Sequence, residues 1–288
     1  MAEKEKRIGL IAGSGPFPVL FAKKASAGGY RVYAAGYHNE TQPAVADYAA
    51  AMEMFYIGQV GRVIKFFKKH DVSRAVMIGA IDKPSSIKQI RPDIKAISLL
   101  GAVRRETTHD DRVLRAFAGL LEDEGIKILS STFLLPELLA APGCWTGRKP
   151  SGKERSDIEL GWKMAKAVGS LDIGQCVVIE NGSVLAVEAI DGTDSTIRRG
   201  GTLGRGDAVV VKVCKPIQDF RFDVPAVGSQ TIETMHQAGA RVLVIEAGRS
   251  IVFDREEMIG LADKYGITIE ACRDLYNECK TAGPEGGK

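Results

Sequence analysis

The sequence has little cysteine and no long apolar run. Its five cysteines are widely spaced and form no C-x-x-C pair, which argues against a zinc site and against a disulfide framework. Cysteines without a disulfide framework fit a reducing, cytoplasmic setting. No segment approaches the roughly 18 apolar residues that a spanning helix needs, and the apolar stretch after Arg7 is too short for a signal-peptide core. We therefore expect a soluble, cytoplasmic protein.

Several catalytic patterns are also missing. There is no G-x-x-x-x-G-K loop and no Ser, Cys or Thr in a nucleophile elbow, and His38, His70 and His236 lack ligand spacing. P-loop chemistry, serine nucleophiles and zinc hydrolysis therefore have no support. The net charge is only +3, which argues against a nucleic-acid partner and is compatible with an anionic small ligand.

The 288 residues suffice for two modest domains. In the first half, short apolar runs alternate with helical patterns, which predicts a parallel α/β sheet with right-handed crossovers. In the second half, Asn181-Gly182 separates two apolar runs and predicts a hairpin, so we expect α/β structure with at least one antiparallel pair. Ser156 and Asp254 are the predicted caps of two helices there.

A stretch rich in proline and glycine, 136–152, predicts a linker. We expect a first domain over 1–135, a second over 153–276 and a flexible tail over 277–288. A ligand that bridges the two domains would imply hinge closure about this linker.

Two loops of the first half follow predicted strands. Gly13-Ser14-Gly15 opens a helix, where bare backbone N–H groups suit phosphate, but it is equally interpreted as a tight turn without a ligand. It is not a complete G-x-G-x-x-G fingerprint, because Pro18 occupies the third glycine position, and the second strand lacks a terminal acid for a ribose. Asp82-Lys83 follows another strand and either meets a pyrophosphate or forms a solvated turn. Thr108 to Asp111 is interpreted as a helix start, with a metal role as the minor alternative.

The second half holds three polar groups of interest. Glu188 lies in an apolar strand, where a carboxylate is costly unless paired, and either bonds an arginine or holds a ribose hydroxyl or a metal. Thr193 or Asp194 is expected to cap the next helix. Lys215 and Gln218 follow another strand, and Asp223 stands in a segment that Pro225 holds extended. Asp223 either points at a bound cation or pairs with Arg221.

Six short stretches, spread in order over both halves, carry a family resemblance. They are Gly9–Gly15 with Pro18, Leu171–Gln175, Leu185–Ala189 with Gly192–Asp194, Lys215–Gln218, Arg221 with Asp223–Pro225 and Gly228, and Glu246–Arg249 with Asp254-Arg255. Together they resemble the UDP-2,3-diacylglucosamine pyrophosphatase family of lipid A biosynthesis. The chain departs from the family at Pro16, where a small residue is frequent, and in a short, glycine-rich segment over 200–206.

The resemblance implies a Rossmann-like N-terminal domain, a C-terminal domain of the family's own kind, and a substrate bound between them. It implies a divalent cation, normally Mg²⁺, and it places the key acid at Asp223. On this basis we expect Asp223 to be catalytic and a metal ligand. The residues expected to contact substrate are Gly13, Ser14, Gly15, Asp82, Lys83, Glu188, Thr193, Asp194, Lys215 and Gln218.

The expected reaction is hydrolysis of UDP-2,3-diacylglucosamine to UMP and 2,3-diacylglucosamine 1-phosphate. Its lipid substrate implies peripheral contact with the inner membrane, and a homodimer is one option for the assembly. Two other classes stay open at this point. One is an NAD(P)-dependent oxidoreductase, suggested by the first strand-to-helix turn, and the other is a nucleotide-sugar sensor without turnover.

Overall fold

A computed structural model describes residues 5–81, 91–97, 110–216, 218–221 and 223–273. They form two compact units. The first consists of the chain up to residue 136 together with 219–223, and the second consists of 137–218 and the chain from 224 onward. The chain therefore leaves the second unit after Gln218, contributes five residues to the first, and returns at Val224.

The first unit is built on a parallel sheet of five strands in the order β3-β2-β1-β4-β5. Its strands are β1 (Lys6–Ala12), β2 (Tyr30–Tyr37), β3 (Ala51–Phe55), β4 (Arg74–Ile78) and β5 (Lys127–Leu129). Its helices are α1 (Phe17–Ala27), α2 (Val60–Lys69) and α3 (Asp110–Asp123), with a 3₁₀ turn over Pro43–Tyr48 and a helical stretch over 94–97. The strand order reverses between β1 and β4, which in open α/β sheets marks the place where ligands bind.

The core of the first unit follows from its apolar pattern. The strand β1 is buried over most of its length, with Ile8 and Leu10 wholly enclosed, as expected for a central parallel strand. The helix α2 buries Val63, Ile64 and Phe67 against the sheet and exposes its lysines. Because the core is formed by the apolar faces of the sheet and the helices, the loops at the carboxyl ends of the strands can be polar.

The second unit is built on a mixed sheet of six strands in the order β6-β13-β11-β9-β7-β8, with a separate two-stranded pair, β10-β12. The strands are β6 (Gly143–Cys144), β7 (Cys176–Glu180), β8 (Ser183–Val187), β9 (Ala208–Lys212), β10 (Ala226–Val227), β11 (Ala240–Glu246), β12 (Ile251–Val252) and β13 (Thr268–Cys272). The helices are α4 (Gly152–Ser170), α5 (Thr193–Leu203), α6 (Ser229–Gln237) and α7 (Arg255–Tyr265). The strands β9, β11 and β13 are parallel, whereas β7 runs antiparallel to both β8 and β9.

The predicted fold class, α/β with a parallel N-terminal sheet and a mixed C-terminal sheet, is confirmed. The predicted hairpin is present as β7–β8. Asn181 and Gly182 at its turn have φ of 55° and 73°, and two positive φ values are the signature of a type I′ turn. None of the helices in the described part of the chain is long and apolar enough to cross a bilayer.

The predicted helix caps of the second unit are wrong in detail. The helix α4 is capped by Ser151, whose hydroxyl accepts from the amide of Glu154 while the Glu154 carboxylate accepts from the amide of Ser151. This reciprocal capping box starts the helix well before Ser156. Asp254 occupies the N-cap position of α7, but its side chain makes no capping hydrogen bond.

The segment 136–152 carries structure of its own. It holds a 3₁₀ turn over Pro136–Leu138 and the strand β6, which pairs antiparallel with β13. Trp145 packs partly buried against the core of the second unit, and the guanidinium carbon of Arg255 lies over its ring at 4.5 Å from the centroid. Residues 277–288, predicted to be a flexible tail, lie outside the described residues.

Candidate functional site

The carboxyl ends of β9 and β11 are joined by a partly buried ion pair. Nζ of Lys166, on α4, lies 2.5 Å from Oε2 of Glu246, the last residue of β11. The same oxygen accepts from the amide of Cys214 at 2.8 Å, and Nζ of Lys166 donates to the Cys214 carbonyl at 2.9 Å. The pair therefore holds both backbone polar groups of Cys214, the residue directly before Lys215.

Lys215 and Gln218, two predicted substrate contacts, are brought together in the loop after β9. The amide of Lys215 donates to Oε1 of Gln218 at 2.9 Å, and the amide of Gln218 donates to the Lys215 carbonyl at 3.0 Å. Nζ of Lys215 lies 2.7 Å from Oδ1 of Asp172, in a pair whose side chains are 16% and 17% exposed. An ammonium group is thus held at the edge of the sheet within reach of solvent.

Glu188 sits at the same edge, just after β8. Its Oε2 accepts from the amide of Gln175 at 3.0 Å, and its Oε1 accepts from the hydroxyl of Thr193 at 2.7 Å. Glu188 is only 7% exposed, and these two donors satisfy its carboxylate. Among the described residues its partners are therefore an amide and a hydroxyl, and not the arginine considered from the sequence. Oε1 of the Gln175 side chain is buried with no partner in the described structure.

The cap predicted for α5 is wrong. Its N-cap is Gly192, at φ 78°, and no side chain caps the helix. The Thr193 hydroxyl is committed to Glu188 instead, while Asp194 lies in the first turn, where the helix dipole favours an acid. Glu188 and Thr193 therefore act as one hydrogen-bonded unit at the sheet edge.

Asp223 lies in the short segment 219–223 that packs with the first unit. Arg221 anchors this segment: its Nε and Nη2 donate to Asp219 at 3.0 and 2.8 Å, and its Nη1 donates to Glu122 of α3 at 3.0 Å. The hydroxyl of Ser130 donates to the Phe220 carbonyl at 3.1 Å. The Asp223 amide then donates to the Asp219 carbonyl at 3.0 Å, so the half-buried Asp223 follows directly from an anchored turn.

Electrostatics strengthen this anchor. Hydrogen bonds from Arg221 lower the pKa of the Asp219 carboxyl, against the opposing effect of burial. The same contact with Asp219 raises the pKa of the Arg221 guanidinium. Both groups therefore stay charged at neutral pH.

The glycine loop of the first unit is locked to the loop after β4. The amides of Gly13 and Ser14 donate to the carbonyls of Ile78 and Ala80, each at 2.7 Å, and the Ser14 hydroxyl donates to the Ala80 carbonyl at 2.9 Å. A Cβ on Gly13 would lie 2.4 Å from the Ala80 oxygen, which explains the glycine by close backbone packing. Because the amides of Gly13 and Ser14 are already used, a phosphate would have to accept hydrogen bonds from the amide of Gly15 and from the first turn of α1, where Pro18 has no N–H.

Two predicted contacts, Asp82 and Lys83, lie outside the described residues, as do Thr108 and His109. The other predicted residues fall into two groups: Gly13, Ser14, Gly15 and Asp223 belong to the first unit, and Glu188, Thr193, Asp194, Lys215 and Gln218 belong to the second. Among the described residues, no group of three or more His, Cys, Asp or Glu side chains is arranged to hold a metal ion.

The sequence analysis did not identify the role of Lys166, Asp172 or Gln175. Lys166 is one lysine among several on α4, and nothing in its neighbours signals that it reaches Glu246. In the sequence, Glu246 appears only within a stretch that carries the family resemblance; in the structure, Nε of Arg249 also lies 3.7 Å from its other oxygen, Oε1. The sequence does contain one indication of this pair: Lys166 lies on the apolar side of a predicted helix, and Glu246 ends an apolar strand.

Comparison with known proteins bears on both units. The model of the LpxI N-terminal domain matches residues 7–138, and the model of the LpxI C-terminal domain matches residues 141–270. A protein of Caulobacter vibrioides called UDP-2,3-diacylglucosamine pyrophosphatase LpxI is 32% identical over 276 residues, covering 92% of this chain and 96% of that protein. The bifunctional purine biosynthesis protein PurH of Bacillus cytotoxicus is 23% identical over 209 residues, covering 70% of this chain and 36% of that protein.

Solved structures add little. The biotin carboxylase domain of the Hydrogenobacter thermophilus 2-oxoglutarate carboxylase aligns with 72% of this chain and 44% of its own, at 12% identity and a TM-score of 0.27. A TM-score of this size supports no argument about fold or function. The two domain models, by contrast, match residues 7–138 and 141–270, the Caulobacter relative covers 92% of the chain, and the chain belongs to the LpxI family.

Proposed function

We propose that this protein hydrolyses the pyrophosphate of UDP-2,3-diacylglucosamine to UMP and 2,3-diacylglucosamine 1-phosphate. The observation that carries the proposal is the match over both domains to the LpxI family, together with a relative named for this pyrophosphatase activity. Family membership makes the chain an enzyme of the pyrophosphatase class, as predicted. The identity of the two products and the requirement for a divalent cation are our proposals.

The reaction needs charge stabilisation and positioning more than covalent chemistry. Water forms a new bond to one phosphorus, the bridging oxygen leaves with the other phosphate, and protons are released to the medium. Because phosphoryl transfer depends mainly on positioned charge, no nucleophilic side chain is required. This agrees with the lack of a nucleophile elbow in the sequence.

Lys215 is the cation that we assign to the pyrophosphate. Its ammonium is partly exposed, and its partner Asp172 is a side chain that a phosphate oxygen can replace. The Lys166–Glu246 pair fixes the backbone from which Lys215 projects. Glu188 and Thr193, a buried carboxylate and a hydroxyl in contact, suit the hydroxyl groups of a sugar.

Asp223 is the residue to which we assign the chemistry. Its position next to the anchored Asp219–Arg221 turn gives it a fixed backbone, which a general base or a metal-binding carboxylate requires. The roles of general base and cation ligand both call for an ionised Asp223.

The proposed cofactor is Mg²⁺. This ion is usually held by one or two carboxylates together with the phosphates of its substrate, so a single carboxylate such as Asp223 fits it without a cluster of protein ligands. Bound there, the ion would supply neutralisation of the pyrophosphate charge. The protein's own task is to hold Asp223 and Lys215 in place.

The lipid part of the substrate is the basis for proposing a cytoplasmic protein that works at the surface of the inner membrane. Three exposed aliphatic side chains near Lys215 and Glu188 support this: Leu171 is 69% exposed, Ile173 is 51% exposed, and Ile190 is fully exposed. Their loops are in contact, since Gly174 packs against the Glu188 backbone. A homodimer stays a prediction.

The test is product analysis by chromatography and mass spectrometry after incubation with UDP-2,3-diacylglucosamine in detergent micelles and Mg²⁺. We expect UMP and the acylated sugar phosphate in equal amounts, loss of both with a chelator, and recovery on adding Mg²⁺. UDP-N-acetylglucosamine, which lacks the acyl chains, is the matched comparison. Absence of UMP with the lipid substrate would overturn the proposal, and tight binding of unchanged ligand would indicate a sensor. Binding of NAD or NADP would revive the oxidoreductase.

A further inference from the structure

Three planar side chains meet at the carboxyl edge of the first unit's sheet. His38 directly follows β2, and Tyr56 directly follows β3. Their ring centroids are 4.4 Å apart with an interplanar angle of 34°. The guanidinium carbon of Arg91 lies 3.9 Å from the centroid of the Tyr56 ring, which is close cation–π contact.

The backbone holds this group in place. The amide of His38 donates to the Phe55 carbonyl at 3.0 Å, which ties the end of β2 to the end of β3. The amide of Arg91 donates to the Ile57 carbonyl at 2.9 Å, and the amide of Tyr56 donates to Oε1 of Gln59 at 2.9 Å. All three planar groups are thus fixed by hydrogen bonds next to their own side chains.

The position of the group matches that of a nucleoside in related folds. In nucleotide-binding sheets of this topology, the phosphates lie over the loop after the first strand and the nucleoside lies over the end of the second. Here the first loop is Gly13-Ser14-Gly15, and the second strand ends at Tyr37 without an acid to hold a ribose. His38 and Arg91 are exposed and Tyr56 is half-buried, so the outer faces of His38 and Arg91 are accessible.

We propose that His38, Tyr56 and Arg91 form a binding site for the base of a pyrimidine nucleotide. Aromatic rings and guanidinium planes are the groups on which proteins stack bases, and a cation beside the stack suits the attached phosphate. The inference rests on the proposed function, because it assigns the uridine part of the substrate to this site. The inference concerns only the base and is independent of the sugar contacts proposed for Glu188 and Thr193.

The experiment is calorimetric titration of the full-length protein with UMP and, separately, with ribose 5-phosphate, which lacks the base. Tyr56→Ala removes the ring against which His38 and Arg91 pack, so the planes that receive the base are no longer held, and UMP binding should weaken by about tenfold or more, the usual effect of losing one base-stacking contact. Tyr56→Phe keeps the ring and should bind UMP like the wild type. Ribose 5-phosphate should bind Tyr56→Ala and the wild type equally.

The matched control is Tyr48→Ala. Tyr48 is also half-buried, but it precedes β3 and so lies toward the opposite edge of the sheet. Its replacement should leave UMP affinity unchanged, and melting temperatures of all variants report whether they fold. If Tyr56→Ala melts early, Arg91→Ala, an exposed position, supplies the same test and should also weaken UMP binding.

The outcomes separate this inference from the proposed function. UMP binding that is absent in the wild type, or unchanged in folded Tyr56→Ala and Arg91→Ala, would overturn the inference even if the lipid substrate is hydrolysed. UMP binding that depends on Tyr56 supports it even if no hydrolysis occurs. If UMP binds through Tyr56 but no hydrolysis occurs, the proposed reaction is wrong and the base-binding site stands.

Discussion

Lys166 and Glu246 form an ion pair, 2.5 Å from Nζ to Oε2, that links α4 to the end of β11 and encloses the backbone of Cys214. Glu246 is 5% exposed in this pair and Lys166 is 27% exposed. The pair fixes the point at which β9 ends and the Lys215 loop begins. Stability and substrate binding should therefore both depend on it.

Lys166→Ala should destabilise the protein, because it leaves the buried Glu246 carboxylate without its near cation and with only the exposed Arg249 at 3.7 Å. Breaking a buried pair costs about 3–5 kcal/mol, and the partial exposure of Lys166 points to the lower end of that range. Unfolding by urea measures the loss. Asp207→Ala is the control, since Asp207 pairs with Arg241 at 3.8 Å and is 74% exposed, so about 1 kcal/mol or less is expected. Equal losses in the two variants would contradict the role assigned to the pair.

Gly13→Ala should destabilise the first unit, because its Cβ would lie 2.4 Å from the Ala80 oxygen and 2.8 Å from the Gly79 carbonyl carbon. Backbone atoms cannot move aside as a flexible side chain can, so we expect a loss of about 1–3 kcal/mol, as for overpacking. Gly119→Ala is the control. It stands in α3 with nothing within 4 Å, and should stabilise by about 0.5–1 kcal/mol. Thermal unfolding of both variants gives the comparison, and a Gly13→Ala protein as stable as the wild type would show that the loops are not locked.

The fold was accessible from the sequence because its signals are local. Alternating apolar runs and helical stripes are set by burial, and Asn181-Gly182 specifies a turn by its own backbone preference. Cap assignment failed at α4 because the sequence offers both Ser151 and Ser156. Both serines have a glutamate three residues later, Glu154 and Glu159, so the capping-box pattern alone does not separate them; in the fold only Ser151 forms the box.

The candidate site was less accessible because its contacts join distant parts of the chain. Lys166 reaches Glu246 across 80 positions, and Lys215 reaches Asp172 across 43. Each of these side chains looks like an ordinary surface charge in the sequence. That residues 219–223 pack with the first unit was equally hidden, since the contact of Arg221 with Glu122 spans 99 positions.

Asp219→Asn should make the protein less stable at neutral pH and remove part of its acid sensitivity. Arg221 lowers the pKa of Asp219 in the folded state, so the contact stabilises the fold above the unfolded pKa of about 3.9 and is lost as the pH falls through the lowered value. The stability difference between wild type and variant should be full near pH 6 and shrink below about pH 4. Urea unfolding from pH 3 to 7 measures it, and a difference independent of pH would contradict the assignment.

The most direct measurement is the rate of UMP release from UDP-2,3-diacylglucosamine by the wild type and by Asp223→Ala, with the melting temperature taken on the same preparations. We predict that the wild type releases UMP and that Asp223→Ala is slower by about a hundredfold or more, the usual effect of losing a general base. The melting temperature should stay close to that of the wild type, because the segment is anchored by Asp219 and Arg221. An Asp223→Ala protein with near-normal turnover and a lowered melting temperature would contradict the account.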